Sequence, residues 1–356
     1  MDDAGRRAHI DALLDEALVA LGDDIAPTGT PGAELLAPVA AIASKGKRMR
    51  ALLLLTSYDA CDGDEPGRAA SAASALEMFQ TAALIHDDVL DQSDTRRGLM
   101  STHRAFESLH ASQGWLGDAP RFGLNAAILA GDLALMSCQR AVVHAVAGLP
   151  AQVAEAVSER FTAMASLCTA GQYLDIRLAS QPLSQVADQT EAIVATMRAK
   201  TASYTAEGPL SIGAALAGAG AGEVDAWAAV GVPLGIAFQL RDDVLGLTGA
   251  PQQTGKPAGD DLREGKRTLL LAYALERADA HGVATVMATV GNAAASEDSV
   301  AEAVSVVVGT GAVDLVETEI DRYAAAARDG IAALHLEPHL GRRLGALIDA
   351  TVRRST

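Results

Sequence analysis

Apolar residues recur at helical spacing along nearly the whole chain. Positions three and four apart repeatedly carry Ala, Leu, Val or Ile, which is the pattern of helices that bury one face. No segment shows the alternation of apolar and polar residues that is typical of strands. We therefore expect an all-α fold, with helices at about 8–22, 33–44, 48–61, 67–93, 124–146, 150–179, 188–207, 209–219, 223–247, 266–280, 300–309, 312–334 and 337–353.

Turn-forming residues separate these segments without dividing the chain. A Pro/Gly-rich stretch at 26–32 predicts a loop, and shorter Gly/Pro clusters fall between later helices. No composition shift or linker marks a domain boundary, so we expect one domain over residues 1–356, a single large helical bundle. The loop predicted at 248–265 is unusually long for a bundle, and loops of that length are often functional.

Composition narrows the class of protein. Hydrophobic residues make up 49% of the chain and aromatic residues only 3%, which favours closely packed helices. A formal net charge of −17 argues against nucleic-acid binding, which needs a basic face. Three widely spaced cysteines form no CxxC pair and suit a reducing cytoplasm. We find neither a signal peptide nor an uncharged apolar stretch of about 18 residues, so we expect no transmembrane segment.

The first chemical candidate is an acidic cluster that follows an apolar run. Asp87 and Asp91 are four residues apart, so they share one face of a helix, and Asp88 lies beside them. Carboxylates this close repel one another unless a cation offsets their charge. Because carboxylate oxygen is a hard ligand, the pattern indicates magnesium, which also binds phosphate oxygens.

Arg96 and Arg97 follow this cluster. On a continued helix they would lie one to two turns beyond Asp91. Guanidinium groups suit phosphate oxygens, so carboxylates beside an arginine pair indicate a metal–phosphate site. The alternative at this point is an intrahelical ladder of salt bridges.

A similar arrangement recurs near residue 240. Gln239, Asp242 and Asp243 end another apolar segment, and the long loop that follows contains Lys256 and leads to Lys266. Glycines in that loop allow close backbone approach to a ligand, and lysines supply point charges for phosphate. Two further basic groups, Lys200-Thr201 and the run at 45–50, lie elsewhere in this acidic chain.

Together these motifs resemble the trans-isoprenyl diphosphate synthases, or polyprenyl synthetases, in the right order from about residue 40 to 270. The most specific match is Asp87-Asp88-x-x-Asp91 followed by Arg96-Arg97-Gly98. Supporting matches are Gly46-Lys47-Arg48-Met49-Arg50, Gly131-Asp132, Gly171-Gln172-x-x-Asp175, Lys200-Thr201-x-x-Tyr204, Phe238-Gln239-x-x-Asp242-Asp243, and the loop from Thr254-Gly255-Lys256 to Lys266.

The resemblance implies a helical bundle of the isoprenoid synthase type around a central cavity. It implies that an allylic diphosphate binds about three magnesium ions, ionises, and is attacked by isopentenyl diphosphate. Family members are commonly homodimers, and we expect a homodimer here.

The resemblance also assigns roles to individual residues. Asp87, Asp91 and Asp242 are the expected metal ligands, with Asp88 in support. The expected contacts of the allylic diphosphate are Arg96, Lys200, Thr201, Gln239, Lys256 and Lys266, and those of isopentenyl diphosphate are Lys47, Arg50 and Arg97.

Two positions depart from the family pattern. Gln80 stands where many members have a histidine that contacts isopentenyl diphosphate, and it retains a hydrogen-bond donor without the charge. Gly246 stands where many members have a third aspartate in the second motif. We therefore expect a weaker third metal site.

Product length in this family is gauged by residues below the first aspartate motif. Ala82 and Ala83 place no aromatic side chain at the positions that stop short products. Phe79 lies eight residues before Asp87, roughly 12 Å down the helix, and is the candidate floor of the tail pocket. We expect a product longer than farnesyl diphosphate, namely geranylgeranyl diphosphate (C20) or C25. The alternative is that Phe79 only packs against a neighbouring helix.

Three other functions fit parts of the pattern. A class I terpene cyclase would leave Lys47, Arg50 and Arg97 without a role. A non-catalytic subunit of a heteromeric prenyl synthase would tend to lose aspartates that this chain keeps. A helical metal-binding protein or phosphohydrolase is suggested only by the pair His86-Asp87.

Overall fold

The computed structural model describes residues 3–249 and 258–352, and it confirms the all-α fold. The helices of the first half are α1 (Asp3–Ile25), α2 (Thr30–Ala43), α3 (Met49–Ala60), α4 (Pro66–Leu90), α5 (Thr102–Ser112), α6 (Ala119–Val146) and α7 (Ala151–Ala179). Those that follow are α8 (Thr190–Met197), α9 (Gly208–Leu216), α10 (Ala221–Thr248), α11 (Asp260–Glu264), α12 (Leu269–Arg277), α13 (Ala280–Thr289), α14 (Glu297–Gly309), α15 (Ala312–Ala333) and α16 (Pro338–Val352).

Several boundaries differ from the sequence-based expectation. A 3₁₀ turn and the start of α2 replace most of the loop predicted at 26–32, because Pro31 lies in the first turn of α2, where its missing N–H costs nothing. The periodicity also missed α5, α11 and α13. The helix predicted at 188–207 consists of α8 followed by a π-helix, Arg198–Glu207.

Helix α4 ends at Leu90, and a short hairpin follows it. Strands β1 (Thr95–Arg96) and β2 (Leu99–Met100) pair antiparallel. Arg97 and Gly98 form the two-residue turn, both with positive φ, as a type I′ turn requires. The sequence, in which we found no strand alternation, did not predict this hairpin, and the two arginines do not lie one to two helical turns beyond Asp91.

The described chain divides into two compact units, Met1–Ser158 with Gly213–Gly218 and Glu159–Ile212 with Ala219–Thr356. In the first unit α4 packs against α6 through small residues, since the buried face of α6 consists mainly of Ala and Gly. Small side chains allow two helix axes to approach closely. In the second unit α10 packs against the π-helix and α15. The single domain stays a prediction.

Two helices, α6 and α10, are long and apolar enough to cross a membrane when judged by length and composition alone. The sequence analysis predicted no such segment because its criterion accepted only apolar stretches without a charged residue. Every 18-residue window of α6 contains Asp132, so the two criteria differ there.

Candidate active site

The first acidic cluster lies at the C-terminal end of α4. Asp87 and Asp91 occupy successive turns and are partly exposed, whereas Asp88 is fully buried. The backbone N–H of Asp91 donates to the carbonyl of Asp87 over 2.8 Å, which keeps both carboxylates on one face. The predicted pairing of Asp87 and Asp91 is therefore present in the fold.

The hairpin returns Arg96 to these carboxylates. Its Nε donates to Asp88 Oδ1 over 2.7 Å, and one terminal nitrogen lies 3.5 Å from Asp87 Oδ2. Burial would lower the pKa of the Arg96 guanidinium, but the charges of Asp88, Asp87 and Asp91 and the hydrogen bond to Asp88 raise it. Arg96 thus stays charged, and it neutralises Asp88 within the protein.

The tight turn sends Arg97 the opposite way from Arg96. Its guanidinium donates to the carbonyls of Ile42 and Lys45, at the start of the basic run 45–50. Burial, offset in part by Glu77, lowers the pKa of Arg97, and Arg50 and Arg48 lower it further. The structure therefore brings Arg97 within the electrostatic influence of Arg50, and Lys47 in the same segment is exposed.

Arg48 is a residue whose role the sequence did not indicate. It is 4% exposed, takes a left-handed backbone conformation, and bonds to Asp11 over 2.7 Å and to the buried Glu77 over 3.4 Å. Glu77 also accepts from the backbone N–H of Ala51. This buried ion pair holds the segment that carries Lys47 and the start of α3, which carries Arg50.

The residues expected to set product length lie on the same helix. Phe79, Ala83, Asp87 and Asp91 form one row at four-residue spacing. Ala83 is partly exposed like the two aspartates, whereas Phe79 is 8% exposed and Ala82 1%. The open strip below the aspartates therefore ends at Phe79. Gln80 beside it is buried, and its Oε1 accepts no hydrogen bond from the part of the chain that is described.

His86 packs between the first cluster and α6. Its Nε2 lies 3.1 Å from the carbonyl oxygen of Ile128 and 3.6 Å from Asp132 Oδ1. A Cβ at Gly131 would lie 2.2 Å from the imidazole, so a side chain at this position of α6 would displace His86. The Gly131-Asp132 motif therefore holds the helix end that carries Asp87.

In the second unit, the π-helix presents the Lys200-Thr201 motif. Lys200 Nζ donates to Asp175 Oδ2 over 2.5 Å, and Thr201 Oγ1 donates to Gln239 Oε1 over 2.7 Å. A Cβ at Gly171 would lie 2.1 Å from the backbone N of Lys200, which explains this glycine of α7. The structure thus joins three predicted motifs, and it gives Asp175, which ends the motif that begins at Gly171, a role as the partner of Lys200. Widened helical turns of this kind often occur at functional sites.

Gln239 continues this network into the second acidic cluster. Its Nε2 donates to Asp243 Oδ1 over 2.7 Å. Burial, together with the nearby Asp261 carboxylate, raises the pKa of Asp243 well above its usual range. Asp242, the predicted metal ligand, lies on the less buried side of α10.

Lys266 lies after α11, where its Nζ donates to Asp261 Oδ1 over 3.0 Å and forms an ion pair with Glu264 Oε2 at 2.7 Å. The next residue, Arg267, donates to the carbonyls of Ala179 and Gln181, which anchors the segment to the end of α7. The predicted contact Lys256 lies outside the described residues.

The donor set suits magnesium that is shared with a substrate. Within residues 3–249 and 258–352, no group of three or more His, Cys, Asp or Glu side chains could hold a metal ion alone. Magnesium typically binds one or two carboxylates and takes its other ligands from water and phosphate. Partly exposed Asp87 and Asp91 offer such incomplete coordination.

Comparison with known proteins gives a consistent result. The polyprenyl synthetase family matches residues 33–307. A geranylgeranyl diphosphate synthase of Sulfolobus acidocaldarius is 31% identical over 87% of this chain and 88% of its own length. A geranylfarnesyl diphosphate synthase of Aeropyrum pernix is 33% identical over 81% and 83%.

A solved structure extends the similarity to the fold. The geranylgeranyl pyrophosphate synthase of Corynebacterium glutamicum, complexed with isoprenyl diphosphate and magnesium, is 34% identical over 100% of both chains, with a TM-score of 0.93. The chain therefore belongs to the polyprenyl synthetase family of prenyltransferases.

Proposed function

We propose that this chain is an all-trans polyprenyl diphosphate synthase that condenses isopentenyl diphosphate with an allylic diphosphate. The observation that carries the proposal is the first cluster, in which Arg96 neutralises buried Asp88 and leaves Asp87 and Asp91 partly exposed on one helix face. Such a surface suits a metal-bound diphosphate. The family is magnesium-dependent, and about three ions would serve one active site.

In this proposal, separate groups of residues bind the allylic diphosphate and the magnesium ions. Lys200, Thr201, Gln239, Arg96 and Lys266 orient the allylic diphosphate, with Lys256 added from the family pattern. Bound magnesium at Asp87, Asp91 and Asp242 would neutralise the charge that develops on the departing diphosphate. The allylic C–O bond then ionises, and the isopentenyl double bond attacks the resulting carbocation. The released pyrophosphate accepts the proton that is lost.

Isopentenyl diphosphate binds, in this proposal, to Lys47, Arg50 and Arg97. The Arg48–Glu77 pair holds the segment of Lys47 and the start of α3 in place, and Arg97 donates from the hairpin turn to the carbonyl of Ile42, just before that segment. Gln80 supplies an uncharged donor. Apolar side chains below the aspartates exclude water, which would otherwise capture the carbocation.

The product is geranylgeranyl diphosphate, or its C25 homologue, because the open strip of α4 runs past Ala83 to Phe79. The relatives with C20 and C25 products support this range.

The active form is a cytoplasmic homodimer. Helix α6 buries small residues and exposes large apolar ones, including Leu129, Met136 and Val143. An exposed apolar stripe of this kind is typical of an interface. Met136→Glu should convert the dimer to a monomer in sedimentation, and an unchanged mass would exclude α6 from the interface.

One incubation tests the proposed reaction. The protein is mixed with magnesium, isopentenyl diphosphate and labelled geranyl or farnesyl diphosphate, and the products are resolved by chain length. An elongated diphosphate supports the synthase. A hydrocarbon would instead indicate a terpene cyclase, and no turnover by the folded protein would indicate a non-catalytic subunit.

A further inference from the structure

Gly246 of α10 leaves a space that another residue fills. A Cβ built on Gly246 would lie 2.3 Å from Asp261 Oδ2 and 3.2 Å from its Cγ. A side chain at position 246 would therefore have to displace the Asp261 carboxyl group from its place, whereas glycine leaves room for it. The second aspartate motif therefore lacks a carboxylate where one was expected and receives one from a different segment.

Backbone hydrogen bonds hold Asp261 in its position over Gly246. The N–H of Gly259 donates to the carbonyl of Gly246 over 3.0 Å, which ties the start of α11 to α10. The N–H of Lys266 donates to the carbonyl of Asp261, also over 3.0 Å. Because both ends of α11 are held, Asp261 has little freedom to leave its place over Gly246.

Asp261 also contacts a proposed substrate ligand. Its Oδ1 lies 3.0 Å from Lys266 Nζ, while its Oδ2 faces Gly246. Burial raises the pKa of Asp243, and the negative charge of Asp261 raises it further. Asp261 thus links the end of α10 to the ammonium group of Lys266.

We propose that Asp261 is the third carboxylate of the second aspartate cluster, that Gly246 exists to admit it, and that it positions Lys266 for the allylic diphosphate. The role of Lys266 in this statement rests on the proposed function, whereas the contact between residues 246 and 261 does not. An aspartate restored at position 246 would therefore collide with Asp261 and repel it, and it should impair the enzyme.

The contact is tested first without substrate, by thermal unfolding. Gly246→Ala should lower the melting temperature by several degrees in the wild-type background, because its methyl group displaces Asp261. In the Asp261→Ala background it should not lower it, since alanine favours a helix over glycine. Gly222→Ala is the matched control, because a Cβ at Gly222 of the same helix meets nothing within 4 Å. Equal shifts for Gly246→Ala in both backgrounds would overturn the contact.

The positioning role is tested by pyrophosphate binding and by kinetics. Asp261→Asn should weaken the binding of magnesium pyrophosphate about tenfold in calorimetry. It should raise KM for the allylic diphosphate about tenfold and leave KM for isopentenyl diphosphate unchanged. Gly246→Asp should act in the same direction, and combining it with Asp261→Ala should restore part of the loss.

Two results would overturn the positioning role: pyrophosphate binding unchanged by Asp261→Asn, or a Gly246→Asp variant that binds the allylic substrate more tightly than the wild type. Asp260→Ala, in the same short helix, controls for the loss of one negative charge. If the wild-type protein elongated no substrate, the proposed function would fail, while the unfolding and pyrophosphate measurements would still decide the contact and the role of Asp261.

Discussion

The two aspartate clusters obtain their counter-charges in different ways. At the first cluster, Arg96 lies only five residues beyond Asp91 and returns on a hairpin to bond with Asp88 and Asp87. At the second cluster, Asp243 bonds with Gln239, and Lys266, which pairs with Asp261, comes from beyond a long connection. The comparison teaches that a local motif can assemble itself, whereas a distributed one depends on several anchored segments.

The largest expected effect comes from the first cluster. Asp87→Ala or Asp91→Ala removes a proposed magnesium ligand, so kcat/KM should fall by about 10³-fold or more while the helical circular dichroism stays unchanged. Asp94→Ala is the control, because Asp94 is exposed and pairs with Arg104. Activity within tenfold of wild type would remove the mutated aspartate from its metal role.

Two substitutions with smaller expected effects compare the contacts that hold the first cluster with those that hold Lys200. Arg96→Lys keeps the charge but loses the fork that reaches Asp88 and Asp87, and we expect about a 100-fold loss in kcat/KM. Asp175→Asn, which weakens the hold on Lys200, should cost about tenfold, mainly in KM for the allylic diphosphate. Steady-state kinetics with both substrates measures these losses, and a larger loss from Asp175→Asn would reverse the comparison.

The difference between the local first cluster and the distributed second cluster also explains which features the sequence could predict. Spacing alone placed Asp87 and Asp91 on one face, because helical periodicity is strong in α4. It did not predict the hairpin that contains Arg96 and Arg97, since Arg-Gly is not among the usual pairs of a type I′ turn and the apolar pattern gave no sign of β-structure. The pattern also failed to indicate the π-helix at Lys200, because side-chain periodicity hardly changes over so short a segment.

Residues that act through tertiary contacts were the hardest to predict. Asp261 and Arg48 lie in charged segments that the sequence marked as candidates for ligand binding, but the sequence gave no role to either residue. Only the fold shows that Asp261 fills the space over Gly246 and that Arg48 is buried against Glu77. The sequence did identify Gly246 as a departure from the family pattern, but it could not indicate what occupies that space.

The next prediction changes product length more than rate. Phe79→Ala should extend the main product by at least one isoprene unit, since it removes the large side chain at the end of the row through Ala83, Asp87 and Asp91. Chromatography of the dephosphorylated products measures the change. Phe106→Leu, which alters another buried phenylalanine of the first unit, is the control. Unchanged product length would make Phe79 a packing residue only.

The smallest effect concerns Glu207 at the end of the π-helix. Burial raises the pKa of its carboxyl group above the usual value near 4.5, so the folded protein binds this proton more tightly than the unfolded chain does. Wild-type stability therefore falls as pH rises from about 4.5 through the folded pKa. Glu207→Gln does not ionise, and its melting temperature should exceed that of wild type by about 1–2 °C at pH 7.5 but not at pH 4.

The matched control for this pH dependence is Glu155→Gln, at an exposed position of α7. Melting curves at the two pH values suffice. A Glu207→Gln difference that is the same at pH 4 and pH 7.5 would contradict the assignment of burial as the cause.

The central proposal is that carboxylates of both clusters bind the magnesium ions that coordinate one diphosphate. Magnesium-dependent binding of a non-cleavable allylic thiolodiphosphate tests it most directly. Calorimetry should detect tight binding by the wild type only when magnesium is present. Asp87→Asn and Asp242→Asn should each weaken that binding by at least tenfold. If either variant bound the analogue as tightly as the wild type, the account of two cooperating clusters would be contradicted.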